Sequence, residues 1–139
     1  MRHSFDYAVL RVVPRVERGE FLNAGVIVFC RTLRYLEAAV DLDGARVHAL
    51  CPDADLPELE AHLATVVRIC SGAPGAGPIG KLTPAERFHW LVAPRSTVIQ
   101  TSPVHCGLCE DPHAALADVL DRLVRRICLD DSSAQGPGG

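Results

Sequence analysis

Polar side chains between residues 95 and 105 form the part of the sequence best equipped for chemistry. Arginine offers a planar set of N–H donors, serine and glutamine make adaptable hydrogen bonds, and histidine exchanges a proton near neutral pH. Donors gathered at the two ends of one short strand could hold an anionic ligand or the backbone of a partner. We call this set the 95–105 cluster; it consists of Arg95, Ser96, Gln100, Ser102 and His105.

The cluster also allows a catalytic and a structural interpretation. In an enzyme of unknown class, His105 would be the general acid or base and Arg95 would stabilise negative charge. Ser102 and His105 could meet as nucleophile and base, but no spacing marks an orienting acid. Alternatively, these groups cap helix ends and bond the backbone of their own loop. The acids available to orient a histidine are Glu20, Glu110 and Asp111.

A second polar segment joins the first two predicted strands, and its charges alternate in sign. Such a pattern is typical of a solvated loop with local ion pairs. If the two strands pair, this segment lies at one end of the sheet, near the 95–105 cluster. We therefore predict that one concave surface brings together Arg18, Glu20, Asn23, Arg95 and His105.

Two cysteines beside the cluster, Cys106 and Cys109, have the spacing of one half of a zinc site. Structural zinc sites join two separated ligand pairs, whereas these ligands and the nearby histidines share one loop and one helical turn. The β-α-β surroundings of a thioredoxin-like dithiol are also missing. We predict no metal and no cofactor, with Cys106, Cys109 and His113 as the alternative metal ligands.

Residues 75–81 match the first part of the phosphate-binding pattern G-x-x-x-x-G-K-S/T. Leu82 stands where the pattern needs a magnesium-binding hydroxyl, and Thr83 comes one position late. Pro78 removes an amide donor, and the segment follows a predicted helix where the motif requires a strand. We interpret it as a linker between helices.

Hydrophobic periodicity predicts the elements that must position these residues. Apolar and β-branched runs predict strands at 5–13, 24–30, 34–40 and 97–100. Helical spacing and capping patterns predict helices at 56–70, 84–93 and 112–128. The run 24–30 is continuously apolar, which is typical of a central strand covered on both faces. Residues 101–110 are predicted to be a polar loop, and 43–50 is a hairpin or, as we prefer, a short helix.

Length and composition describe one ordinary domain. The chain has 139 residues, of which 48% are hydrophobic and 22% charged, so it can build a core. We predict one α+β domain over 1–129, with a small, mainly antiparallel sheet of three to four strands packed with three helices. Residues 130–139 offer no packing side chains and are predicted to be disordered.

The sequence further predicts a soluble cytoplasmic protein. The apolar run 7–13 is short and is broken by Arg11, so it is neither a signal-peptide core nor a membrane span. The six cysteines are then free thiols, because the cytosol is reducing. A net charge of −3 and a pI of about 6.0 disfavour nucleic-acid binding through a basic face.

Two long segments resemble the bacterial domain of unknown function (DUF) 3037 family. They read Arg-Gly-Glu-Phe-Leu-Asn-Ala-Gly-Val-Ile-Val at 18–28 and Arg-Phe-His-Trp-Leu-Val-Ala-Pro-Arg-Ser-Thr-Val-Ile-Gln-Thr-Ser-Pro-Val-His at 87–105. The resemblance covers about 7–129 and implies a small bacterial protein that serves a partner, with no activity, substrate or cofactor attached; the two cysteines stand outside the family pattern. The matching polar positions are Arg18, Glu20, Asn23, Arg87, Arg95, Ser96, Gln100, Ser102 and His105.

Two functional hypotheses follow. The first is a non-enzymatic binding or accessory protein that engages a protein partner or a small anionic ligand through these polar positions. The second is an enzyme of unknown class that uses His105 and Arg95 as described above. The residues favour the first hypothesis, because they offer many hydrogen-bond donors and no complete catalytic set.

Overall fold

A five-stranded antiparallel sheet lies at the centre of the computed structural model, which describes residues 1–74 and 76–125. The strands are β1 (His3–Val12), β2 (Leu22–Cys30), β3 (Tyr35–Val40), β4 (Ile99–Thr101) and β5 (His105–Cys109). The first three form an antiparallel meander, as predicted. The order across the sheet is β3-β2-β1-β4, and β5 also pairs with β1.

Helices cover both faces of the sheet, which confirms the predicted α+β class. They are α1 (Gly44–Leu50), α2 (Leu56–Ser71), α3 (Pro84–Val92) and α4 (Pro112–Leu120), which continues as a π-helical turn (Asp121–Arg125). The predicted set of three lacked α1, although a helix was the preferred interpretation of that segment. Asp43 begins α1 by accepting hydrogen bonds from the backbone N–H groups of Ala45 and Arg46. The predicted capping box of α3 is present between Thr83 and Glu86.

The sheet separates two apolar cores. On one face, side chains such as Leu10 and Ile27 pack against α1, α2 and α3. On the opposite face, Val26 and Val28 pack against α4. Because β2 contributes to both cores, it is a central strand covered on both sides, as its continuous apolar run predicts.

The outer edge of β1 pairs with two short strands in succession, β4 and then β5. The register shifts by one residue between them, so residues 8 and 9 of β1 face residues 102–104 in a β-bulge. The predicted polar loop over 101–110 is therefore wrong, because 105–109 is a strand. The segment His-Cys-Gly-Leu-Cys contains no β-branched residue, so pairing with β1 rather than local propensity forms this strand.

Some predictions concern residues outside the described ranges. These are the last turn of the predicted C-terminal helix, 126–128, and the predicted disordered tail, 130–139. Within the predicted linker 75–81, a 3-10 turn (Pro78–Lys81) comes after α2, so a helix does precede this segment. Among the described residues, none of the helices has the length and apolar character needed to cross a membrane.

Candidate functional site

An apolar pocket of about 240 Å³ opens between the second half of α2, the end of α3 and β4. We call it the α2–α3 pocket. Its apolar lining includes Val66 and Ile69 on α2, Leu91 on α3, and Leu10 and Ile99 on the sheet. Pockets for whole drug-sized ligands typically measure about 300–1,000 Å³. This smaller volume suits a single ring or a short aliphatic chain.

Exposed and half-buried polar side chains, among them His62, Thr65 and Gln100, also line this pocket. Arg95 is the lining residue that carries a permanent positive charge. Its guanidinium lies 4.4 Å from the centroid of the Trp90 ring and donates a hydrogen bond to the Trp90 carbonyl. Within the described chain, the guanidinium has no further partner, so its remaining N–H groups are available to a ligand.

The 95–105 cluster is only partly present at the α2–α3 pocket. Arg95 and Gln100 line it, whereas Ser96 is exposed and lies outside the lining. The Gln100 side-chain amide donates to the carbonyl of Thr97 at 2.9 Å, which closes the turn before β4. Gln100 therefore has both a structural contact and a place at the pocket.

The hydroxyl of Ser102 is used by the β-bulge. It accepts a hydrogen bond from the backbone N–H of Val9 at 2.9 Å and donates to the carbonyl of Pro103 at 2.9 Å. Ser102 is 5% exposed, and its own N–H donates to the Val9 carbonyl. The Ser102 hydroxyl thus takes the place of the backbone carbonyl that would accept the Val9 N–H in a regular strand pair and that the bulge displaces. This arrangement does not fit the nucleophile proposed for Ser102 from sequence.

His105 lies on the other side of the sheet from Arg95. It faces Tyr7 across β1 and β5, with ring centroids 5.4 Å apart, and Tyr7 packs against the core on the α4 side. Arg95 lines the pocket between α2 and α3, which cover the opposite face. The two side chains cannot act on one reacting atom, and the single concave surface predicted from sequence is not formed.

The remaining residues of that predicted surface already make contacts within the fold. Arg18 and Glu20 form an exposed pair with 2.6 Å between Nε and Oε1, and this hydrogen bond lowers the pKa of the Glu20 carboxyl. The side-chain amide of Asn23 donates to the carbonyl of Leu123 at 2.9 Å, which ties β2 to the turn that follows α4. None of these three lines the α2–α3 pocket.

Arg87 supports the end of α2. It is 9% exposed, and its Nη1 donates to the carbonyls of Ile69 and Cys70 at 2.8 and 2.9 Å. These carbonyls lie in the last turn of the helix, where backbone acceptors lack partners within the helix. Burial raises the pKa of the neighbouring Cys70 thiol to about 12, so that thiol stays protonated. Arg87 is a structural residue in this fold.

The alternative metal ligands, Cys106, Cys109 and His113, have separate surroundings. The Cys106 thiol donates to Asp6, which raises its pKa, and burial raises the pKa of Cys109. Metal ligation needs thiolates, so both shifts oppose it. His113 Nδ1 lies 3.5 Å from the Tyr35 hydroxyl. In the described part of the chain, no group of three His, Cys, Asp or Glu residues is placed to hold a metal ion.

The residues that α2 and α3 contribute to the pocket are not among the site residues predicted from the sequence. His62, Thr65, Val66 and Ile69 follow one another at helical spacing on α2 and share one side of it. In the sequence, the polar residues His62 and Thr65 on the same side of α2 as Val66 and Ile69 indicate this pocket. Trp90, the single tryptophan of the chain, is 39% exposed and was a second signal.

Arg11 is a further polar residue that is not among the predicted site residues, and it interrupts the apolar run 7–13. In the register of the sheet it lies between Asn23 on β2 and Gln100 on β4. Its guanidinium lies 4.2 Å from the Phe21 ring centroid, and its buried Nε has no hydrogen-bond partner among the described residues. In the sequence, the single charged residue within the apolar run 7–13 marks this position as unusual.

Comparison with known proteins gives one result. Residues 7–124 match a family described as "Protein of unknown function (DUF3037)". No curated protein and no solved structure matches the chain. The matched range contains all residues that line the α2–α3 pocket.

Proposed function

The chain belongs to the DUF3037 family, and on that premise we propose that it is a non-enzymatic binding protein whose α2–α3 pocket takes a small organic anion. One observation carries the proposal: an apolar pocket is lined by an arginine that is held in place and retains free donors. The apolar walls would bury a ring or an aliphatic chain, and Arg95 would bind the carboxylate or another anionic end.

The geometry supports binding over catalysis. The sequence-based enzyme hypothesis needs His105 and Arg95 together, and the sheet separates them. His62 is the histidine that lines the pocket; its side chain is half exposed, and its Nε2 lies 3.7 Å from Glu58. The hydroxyl groups that line the pocket already donate to backbone carbonyls: Thr65 to Ala61, Thr97 to Ile99 and Thr101 to Val92.

The proposal includes the location and the extent of the protein. We propose that it works in the cytoplasm of a bacterium as one domain of residues 1–129. The five cysteines among the described residues are free thiols, as a reducing compartment allows. The family match over 7–124 is compatible with a single domain of this length.

A matched pair of small molecules tests the pocket. Hexanoate and 1-hexanol share an apolar chain and differ in the anionic end, so Arg95 should favour hexanoate. We expect hexanoate to bind roughly fivefold more tightly, since a half-exposed ion pair contributes about 1 kcal/mol. Amide chemical-shift titration of the full chain measures both affinities and should locate the perturbed residues in the α2–α3 pocket.

Two variants provide the controls for this titration. Arg95→Gln should remove the preference for hexanoate while 1-hexanol still binds. Arg46→Gln removes an exposed arginine of α1, outside the pocket, and should leave both affinities unchanged. Equal binding of the two molecules to the unmodified protein, or shifts centred away from the pocket, would contradict the proposal.

A further inference from the structure

The outer edge of β5 has no strand beside it in the described chain. Along a strand, the backbone N–H and carbonyl groups of successive residues point alternately to the two sides, so the bonding pattern of β1 shows which groups of β5 face outward. The Val9 carbonyl accepts from Ser102, and the Val13 N–H donates to Val98, so the odd-numbered residues of β1 bond toward β4 and β5. Their partners on β5 are residues 105, 107 and 109. The backbone N–H and carbonyl groups of residues 106 and 108 therefore face outward.

Within β5 itself no residue protects this edge against further pairing, and the bulge with Pro103 ends before the strand begins. Natural edge strands are commonly guarded by lysine, proline or inward-pointing charge. β5 contains none of these, and Leu108, 64% exposed, is after Met1 the most exposed large apolar residue within the described ranges. Val104, just before the strand, is 42% exposed. An unguarded edge with exposed apolar side chains is the arrangement to which an extended segment of another protein can add.

A groove of about 600 Å³ runs between this edge and α4. Phe5 and Tyr7 contribute to its lining. Gly107 lets the Phe5 ring pack directly against the β5 backbone, because a Cβ at this position would lie 2.8 Å from that ring. The open space of the groove lies between β5 and α4, where side chains of an added strand would lie.

The charges along the groove are mostly negative. Three carboxylates line it, those of Glu110, Asp111 and Asp118, together with one cation, Arg122. Arg122 already bonds Asp118 at 2.9 Å, and Asp111 caps α4 by accepting a hydrogen bond from the His113 N–H at 3.0 Å. Neither Glu110 nor Asp111 has a cationic side chain as a partner in the described chain. A partner that lies in the groove therefore gains from basic side chains.

We propose that the β5 edge binds an extended segment of a partner protein in which basic and apolar residues alternate. Its backbone pairs with the outward groups of residues 106 and 108 and adds a strand to the sheet. Its basic side chains lie on the α4 side, near Glu110 and Asp111. Its apolar side chains lie on the opposite face, beside Leu108. This surface is separate from the α2–α3 pocket and does not depend on it.

Peptide binding to the full chain tests this proposal. The probes are two capped peptides of about eight residues, one alternating lysine with valine and one alternating glutamate with valine. We expect the lysine peptide to bind at least about tenfold more tightly, with amide shifts centred on residues 104–110. Equal affinities, or no binding of the lysine peptide up to about 1 mM, would overturn the proposal.

Matched variants separate the backbone and charge contributions. Leu108→Pro removes an outward N–H that β1 does not use, whereas Leu108→Ala keeps it; we expect about tenfold weaker binding for the proline variant relative to the alanine variant. Glu110→Lys should weaken binding about fivefold, and the same charge change at exposed Glu17 should leave it unchanged. If the two Leu108 variants fold and bind alike, the edge is not the site. Dimerisation of the unmodified chain that Leu108→Pro abolishes would assign the edge to a second copy and also overturn the proposal.

Discussion

Replacing Arg87 with methionine is expected to lower the free energy of unfolding by about 3 kcal/mol, whereas Arg95→Met lowers it by less than about 1 kcal/mol. Both arginines lie within the range that matches the family, and from sequence both are candidates for ligand binding. The structure separates them by burial, because Arg87 is 9% exposed and Arg95 is half-buried at a pocket. The same substitution at the two positions therefore distinguishes a structural arginine from a binding one.

The large effect at Arg87 comes from the end of α2. Hydrogen bonds from a charged donor to neutral acceptors contribute about 1.5–3 kcal/mol each, and Arg87 makes two, to Ile69 and Cys70. Its positive charge also lies at the negative end of the helix dipole. Gly72 ends the helix in left-handed geometry with a φ of +68°, and a Cβ there would lie 2.8 Å from Nη1 of Arg87. Methionine fills similar space but leaves both carbonyls without this donor.

Urea denaturation followed by circular dichroism measures the difference between the two variants. Arg95→Met should keep a near-normal midpoint and lose the preference for hexanoate over 1-hexanol. Arg87→Lys serves as a third variant, since one ammonium group can replace part of the lost contact and should restore some stability. A stable Arg87→Met protein with an altered ligand preference would show that Arg87 belongs to a binding site.

Much of the fold is predictable from the sequence because its elements carry local signals. The continuous apolar run 24–30 predicts a strand buried on both faces, and β2 has that place. Thr83, Pro84 and Glu86 predict the start of α3, since their side chains act on neighbouring backbone groups. β5 has no such signal, and it becomes a strand only because β1 lies beside it.

The candidate site is harder to predict, because it depends on which face of the sheet each residue occupies. Side chains alternate along a strand, so a shift of one residue moves every later side chain to the other face. The bulge at residues 102–104 makes such a shift between β4 and β5. Arg95 and His105 are ten positions apart in sequence yet lie on opposite sides of the sheet, and no local pattern predicts that outcome.

The bulge itself gives the second large expected effect. Ser102→Ala should lower the free energy of unfolding by about 2 kcal/mol, because a buried backbone N–H left without an acceptor costs about 1–3 kcal/mol. The N–H in question is that of Val9, which donates to the Ser102 hydroxyl at 2.9 Å. Pro103, the next residue, has no N–H of its own to contribute to the pairing. The serine hydroxyl is therefore the group that keeps β1 hydrogen-bonded across the bulge.

Two measurements separate this structural role from a catalytic one. Amide hydrogen exchange at Val9 should accelerate in Ser102→Ala, while hexanoate binding in the α2–α3 pocket stays unchanged. Ser96→Ala is the matched control, because Ser96 is exposed and surface substitutions usually change stability by less than about 0.5 kcal/mol. Unchanged exchange and stability in Ser102→Ala, together with loss of a chemical activity, would restore the nucleophile hypothesis. Because the hydroxyl already has a donor and an acceptor inside the fold, we expect the stability result.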